Sequence, residues 1–102
     1  MNPHLDPRDL LARLPGPEGQ RSIQAARLRQ LELKLYAPAG EDLQTPHDRD
    51  EFYIVLSGSG VFERDGGRAP FKAGDLLFVE KQTAHRFVEF TEDFATWVLF
   101  LD

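Results

Sequence analysis

From residue 21 onward the chain is a succession of short runs with strand-like patterning, each closed by a turn signal, and this rhythm leaves few folds open. Leu31-Glu32-Leu33-Lys34-Leu35 alternates apolar and polar at the period of two that a half-buried strand requires, and Tyr36 completes the run. Ser22 to Leu28 reads as a weaker strand before it. Glu51 to Leu56 reads as a strong one ending in Ser57-Gly58-Ser59-Gly60, a tight turn or bulge, with Val61-Phe62-Glu63-Arg64 after it. Asp65-Gly66-Gly67 then predicts a short hairpin of the primed-turn type. Strands are expected over Ala69 to Lys72, Leu76 to Val79 beyond the Ala73-Gly74-Asp75 turn, His85 to Phe90 and Phe94 to Leu101. About eight short strands with no second helix predict an all-β sandwich or barrel.

One segment departs from this rhythm. Asp6 to Leu14 reads as a short helix: Asp6 can cap it, Pro7 suits the first helical position, and Asp9 is acidic in the first turn. Leu10, Leu11 and Leu14 form its apolar stripe, and Pro15-Gly16-Pro17 stops it. A helix of about two turns is not stable alone, so it must dock on the domain or on a partner subunit. With 102 residues the chain supports a single core. The expectation is one domain over 1–102, with a helix and linker over 1–20 and a β-barrel over 21–102. The final run, Phe94-Ala95-Thr96-Trp97-Val98-Leu99-Phe100-Leu101, is apolar on both faces, and such a strand must be covered on both. One face can line the barrel; the other needs the helix, a second sheet or a subunit, which favours a homodimer.

Charge and cysteine usage narrow the function classes. The net charge of −5 argues against a nucleic-acid surface, since phosphate backbones need clustered Lys and Arg. The densest basic stretch, Arg21 to Arg29, holds three arginines and reads as a solvated edge. With no cysteine, disulfides, thiolate catalysis and Cys-type zinc sites are excluded, so any metal must rest on His and carboxylate. The N-terminal residues lack the pattern of a secretory signal, and no stretch approaches the roughly 20 apolar residues of a membrane span. The expected location is cytoplasmic, with no membrane partner.

Two segments carry metal-ligand chemistry. In Thr45-Pro46-His47-Asp48-Arg49-Asp50-Glu51, His47 and Glu51 are four apart and would share a face of an extended chain. With His85, beyond Gly74-Asp75 and a strand, they make a two-histidine, one-carboxylate set, a known way of holding a divalent metal with open positions. Glu51 sits amid Phe52, Tyr53, Ile54 and Val55, and a carboxylate buried among such neighbours takes a proton or a partner. That partner is either a metal shared with His47 and His85 or, without metal, a protonated histidine or Arg49 and Lys34. Tyr53 shares the face of His47 and Glu51, where its hydroxyl is a candidate catalytic acid, base or hydrogen-bond donor, or else part of an aromatic lining. Gln44, Thr45, Arg49 and Glu89 are candidates for the mouth. Phe78, Phe87 and Trp97 are expected to fill the interior or its collar. Asp50, opposite Glu51 by alternation, is a surface charge or turn partner, and His4 is solvated.

With these residues in place the chain resembles the cupin superfamily, over about residues 31 to 101. The first cupin motif combines a Gly, a His-x-His pair, a Glu four after the second His and a Gly seven after the Glu; here stand Gly40, Thr45-Pro46-His47, Glu51 and Gly58. The second has a Gly-Asp strand, a Pro-x-Gly turn, a His three after that Gly and an Asn four after the His. Here stand Gly74-Asp75, Glu80-Lys81-Gln82, His85 and Glu89. The resemblance implies a small single-domain cupin: a double-stranded β-helix or jelly-roll barrel with a divalent metal (Fe, Mn, Ni, Cu or Zn) on His47, Glu51 and His85. Thr45 stands where the family has its first histidine, and a hydroxyl is a poor ligand for such a metal. The implied roles span oxygenases, isomerases and non-catalytic binding or sensing modules for a small polar molecule, and fold alone does not choose among them.

Overall fold

The computed structural model describes residues 3–101. They form one short helix, α1 (Pro7–Leu11), and eight strands: β1 (Ser22–Leu28), β2 (Leu31–Tyr36), β3 (Asp50–Ser57), β4 (Ser59–Arg64), β5 (Gly67–Lys72), β6 (Leu76–Val79), β7 (His85–Val88) and β8 (Ala95–Leu101). All pairings are antiparallel. A five-stranded sheet runs β1-β2-β8-β3-β6 and a three-stranded sheet runs β5-β4-β7. Among the described residues no ladder joins the two sheets.

Side-chain alternation decides which residues meet. On β3, Glu51, Tyr53 and Val55 turn inward and are buried, while Phe52 and Ile54 turn outward. The core gathers Tyr53, Val55, Val79, Val98 and Phe100 from the larger sheet with Phe62, Phe71 and Phe87 from the smaller, so it lies between the two. Phe94 closes its lower end against Phe71 and Phe87, with ring centroids 4.9 and 4.8 Å away.

Phe87 therefore fills the interior as expected, but Phe78 and Trp97 do not. Val79 pairs with inward-facing Glu51, which sends Phe78 outward beside Phe52, and Trp97 pairs with outward-facing Ile54. Helix α1 ends at Leu11, short of the expected Leu14. Asp6 caps it by accepting from the Arg8 amide at 3.0 Å. It buries Leu10 and packs on β2, whose Leu35, on the same outer face as Trp97, is fully buried.

Turn chemistry at two places bears on the site. At Asp65-Gly66 both residues have positive φ, 50° and 84°, the mark of the primed hairpin turn between β4 and β5. At Gln82, φ is 64°, although no glycine relieves the left-handed backbone there. The turn holds because it is bonded on several sides: the Gln82 amide donates to the His47 carbonyl at 2.6 Å and the Lys81 amide to Asp50 at 2.9 Å. Asp50 is thus a turn partner. Replacing Gln82 by glycine removes a strain of about 1 kcal/mol without touching a side-chain contact. Gln82→Gly should raise the melting temperature by several degrees, and a fall in a thermal melt would show that the side chain itself anchors the turn.

Candidate metal centre

Three separate pieces of chain bring the ligand-type residues together. Glu51 comes from the start of β3 and is 1 % exposed. His85 opens β7 and its ring is 1 % exposed. His47 lies in the loop before β3, not on the strand itself, and the chain bends at Asp48-Arg49 before Glu51. The expected pairing of His47 with Glu51 is met, but through the loop and not through strand period: His47 Nδ1 lies 3.0 Å from Glu51 Oε2. On the other side His85 Nε2 is 2.7 Å from Glu51 Oε1. One ligand atom from each of the three lies within 4.8 Å of the others.

The protonation pattern shows what the cluster lacks. His85 Nδ1 is 2.8 Å from the Thr83 carbonyl, which can only accept, so Nδ1 carries a proton. In the neutral ring Nε2 then presents a lone pair to a carboxylate oxygen. His47 Nδ1 and Glu51 Oε2, though 3.0 Å apart, are buried without an aligned hydrogen bond. Such a surplus of buried lone pairs calls for a cation: a metal or added protons. Burial alone would push the Glu51 carboxyl up, but protonated His47 and His85, together with the bond from Tyr53, outweigh it and hold it down at about 2. Burial likewise pulls the His85 imidazole down, but bonding to Glu51 and Thr83 raises it overall above its ordinary value. The residues present fit a divalent ion.

Tyr53 lies deeper on the same face as Glu51. Fully buried, it donates from its hydroxyl to Glu51 Oε1 at 2.6 Å and lies 3.0 Å from His85 Nε2. Burial and the adjacent carboxylate push the phenol well above its usual range. Of the expected mouth residues, Gln44 turns toward the site, its Oε1 3.3 Å from the Tyr53 hydroxyl, whereas Thr45 is exposed. Arg49 pairs with Glu32 at 2.9 Å and stacks 4.3 Å over the Phe100 ring. Lys34 also lies over Phe100, 5.9 Å from its centroid. Glu89 is at the far end of β7 and pairs with Arg68.

Asp42 escaped the sequence reading. Buried, it accepts from the Tyr36 hydroxyl at 2.5 Å, the Gln44 amide at 3.1 Å, Gln44 Nε2 at 2.7 Å and the Phe87 amide at 2.8 Å. It thereby pins the loop before β3 to β7 and orients the Gln44 side chain. A lone Asp after Gly40-Glu41 in a polar loop gives no periodic signal of burial. A cavity of about 110 Å³ reaches His47 between Lys34, Tyr36, Gln44 and Phe100. A second, of about 340 Å³, opens between Pro46, His85 and the β4–β5 hairpin, with Arg64, Arg68 and Arg86 on its walls.

The sequence pattern of the cupin domain family matches residues 33–101. The chain belongs to the cupin family. An uncharacterised protein of Streptomyces coelicolor is 34% identical over 80 residues, 76% of each chain. Among solved structures, a cupin superfamily protein from Desulfitobacterium hafniense is similar with a TM-score of 0.66 at 22% identity, over 78% of this chain and 74% of that one. KdgF from Halomonas sp. gives a TM-score of 0.68 at 20% identity, over 78% and 76%. At these identities the structural likenesses show the cupin fold. Among the described residues no helix is long and apolar enough to cross a membrane.

Proposed function

We propose that this small, single-domain cupin holds one divalent metal on His47, Glu51 and His85, within a jelly-roll arrangement of its two sheets, and acts on a small polar molecule. The buried, unbonded pair His47 Nδ1 and Glu51 Oε2 carries the reading. When bound, a divalent ion supplies Lewis-acid polarisation and open positions for oxidation or rearrangement of its ligand. The chain's own part is to orient and exclude. Thr83 fixes the His85 tautomer through Nδ1, which leaves Nε2 for the metal. Phe100 backs His47, with ring centroids 5.2 Å apart, and limits water on that side. The Lys34 ammonium on the wall of the cavity of about 110 Å³ favours an acidic group there. Protein purified without chelator should contain close to one divalent ion per chain, and His47→Ala far less; a metal content well below one in the parent would sink the reading.

A second reading, a binding or sensing cupin without metal in the cytoplasm, draws on the exposure of Thr45 and on the His85–Glu51 pair, which is self-consistent as an ion pair if His85 is protonated. The two readings diverge in pH dependence. A raised folded-state pKa for His85 gives stability that is complete below its ordinary value of 6.5 and lost as pH rises through the folded value. The depressed Glu51 adds stability that is complete above 4.5 and lost as pH falls toward about 2. Chelator-treated protein should therefore melt highest in mildly acidic buffer and decline on the alkaline side. Addition of zinc or nickel should abolish the alkaline decline, because Nε2 then faces a cation at any such pH. An unchanged alkaline limb with metal present would favour the second reading.

A second copy of the chain is the partner assigned to the outer face of the five-stranded sheet. Phe52, Ile54, Leu76, Phe78 and Leu101 are exposed there, and Trp97 and Leu99 only half-buried, an apolar field bordered by Asp50, which pairs with Leu101, and by Arg64, whose guanidinium lies 5.0 Å over the Phe78 ring. Monomers rarely expose apolar patches of that extent, and two identical sheet faces pack face to face about a two-fold axis without needing a complementary partner. The parent should sediment as a dimer and Ile54→Glu as a folded monomer. A monomeric parent would remove the dimer.

A further inference from the structure

We infer that Tyr53 supplies a fourth ligand to the proposed metal, its phenol oxygen taking the coordination place that exposed Thr45 leaves unfilled. This rests on the metal-binding reading and extends it. Tyr53 Oη, Glu51 Oε1 and His85 Nε2 form a closed triangle with edges of 2.6, 2.7 and 3.0 Å. Ligands at right angles on one ion, with bonds of about 2.1 Å, stand about 3.0 Å apart, so all three atoms can touch a single cation with little movement.

Hydrogen bonding alone leaves the group unbalanced. Gln44 Nε2 is committed to Asp42 at 2.7 Å, so Gln44 Oε1 must be the atom facing Tyr53, at 3.3 Å. His85 Nδ1 is committed to the Thr83 carbonyl. With His85 neutral, three acceptors, Glu51 Oε1, Gln44 Oε1 and His85 Nε2, surround one phenol proton. A cation in contact with the phenol oxygen satisfies the two that the proton leaves. Tyr53 also has no freedom to leave: its ring is packed edge-on against Phe87 at 4.9 Å and Phe62 at 5.9 Å. With a strongly acidic ion such as iron(III), coordination breaks the O–H bond and forms an O–metal bond. The proton passes to solvent and no electron is transferred.

The chain has two tyrosines, which makes the test clean. Chelator-treated protein is loaded with iron(III) delivered as its nitrilotriacetate complex, and bound iron and the visible spectrum are recorded together. The expected result is about one iron per chain with a phenolate-to-iron charge-transfer band. That band survives Tyr36→Phe and vanishes in Tyr53→Phe, whose iron affinity falls at least about tenfold. Resonance Raman of the parent, exciting in the band, should show phenolate modes and needs no variant to fold. Stoichiometric iron without the band, or a band that persists in Tyr53→Phe, overturns the assignment of Tyr53 while leaving the metal site standing. Absence of iron, zinc and nickel binding alike overturns both.

Discussion

Glu51→Gln should lower metal affinity more than about 100-fold while leaving the metal-free protein folded. Loss of a residue that merely orients a ligand costs about 10–100-fold in affinity, and Glu51 is placed between both histidines, 3.0 Å from one and 2.7 Å from the other. The amide has the shape of the carboxylate but not its charge, so the metal loses its anionic ligand. The fold should tolerate the change. An amide oxygen still accepts from the Tyr53 hydroxyl, and the amide nitrogen can donate to the histidine nitrogen it faces. In alkaline buffer with chelator the variant should melt as high as the parent or higher, since the parent then holds a buried carboxylate beside a neutral His85. Titration calorimetry with zinc or nickel and a parallel melt give both numbers. Parent-like affinity in Glu51→Gln would show that the metal, if bound, sits elsewhere.

Much of this centre was legible from residue spacing, and the misses have identifiable causes. β1, β2 and β6 stand where expected: β2 writes its period of two into the sequence, and the Ala73-Gly74-Asp75 turn bounds β6, whose Leu76-Leu77-Phe78-Val79 does not alternate. β3, β4 and β5 begin earlier than expected, since ladder pairing carries Asp50, Ser59 and Gly67 into strands that their own propensities do not favour. His47, Glu51 and His85 converge as their spacing suggested, yet the route differs: His47 reaches Glu51 from a bent loop, which period-two reasoning cannot see. Which of Gln44 and Thr45 faces inward depended on Asp42, a long-range anchor to Phe87 with no local signature. Of the metal-free partners expected for Glu51, the histidines stand beside it, whereas Arg49 pairs with Glu32, a residue 17 positions away on β2. The turn at Glu80-Lys81-Gln82 holds Gln82 left-handed at the position where the motif has its glycine, a conformation that a side chain makes costly.

The largest effect on stability is expected at Gly58, where β3 passes into β4. Its φ is 81°, and a side-chain carbon built there would lie 2.6 Å from Thr91 Oγ1, 2.7 Å from Phe94 Cα and 2.9 Å from the Phe94 nitrogen. Thr91 could rotate aside, but the Phe94 backbone cannot. It is tied by the Phe94 amide to the Thr91 carbonyl at 3.1 Å, and the same loop is bound by the Thr91 amide to the Ser59 carbonyl at 2.9 Å and by Ser57 Oγ to the Asp93 carbonyl at 2.5 Å. Moving that backbone would also draw Phe94 out of contact with Phe71 and Phe87 in the core. The left-handed backbone alone costs alanine about 1–2 kcal/mol, and loss of Phe94 burial, worth about 1.5–3 kcal/mol when complete, adds to it. Gly58→Ala should therefore destabilise the protein by about 3 kcal/mol or more, a fall in melting temperature on the order of 15 °C for a domain of this size. Thr91→Ala in both the parent and the Gly58→Ala background separates the costs: it clears the movable atom, its own loss of the bond from the Ser59 amide at 3.1 Å is read in the parent, and what Gly58→Ala still costs beyond that belongs to φ and to Phe94. A melt of Gly58→Ala within about 3 °C of the parent would mean that the chain before β8 does not close on β4, and with it that the lower end of the core is not sealed by Phe94.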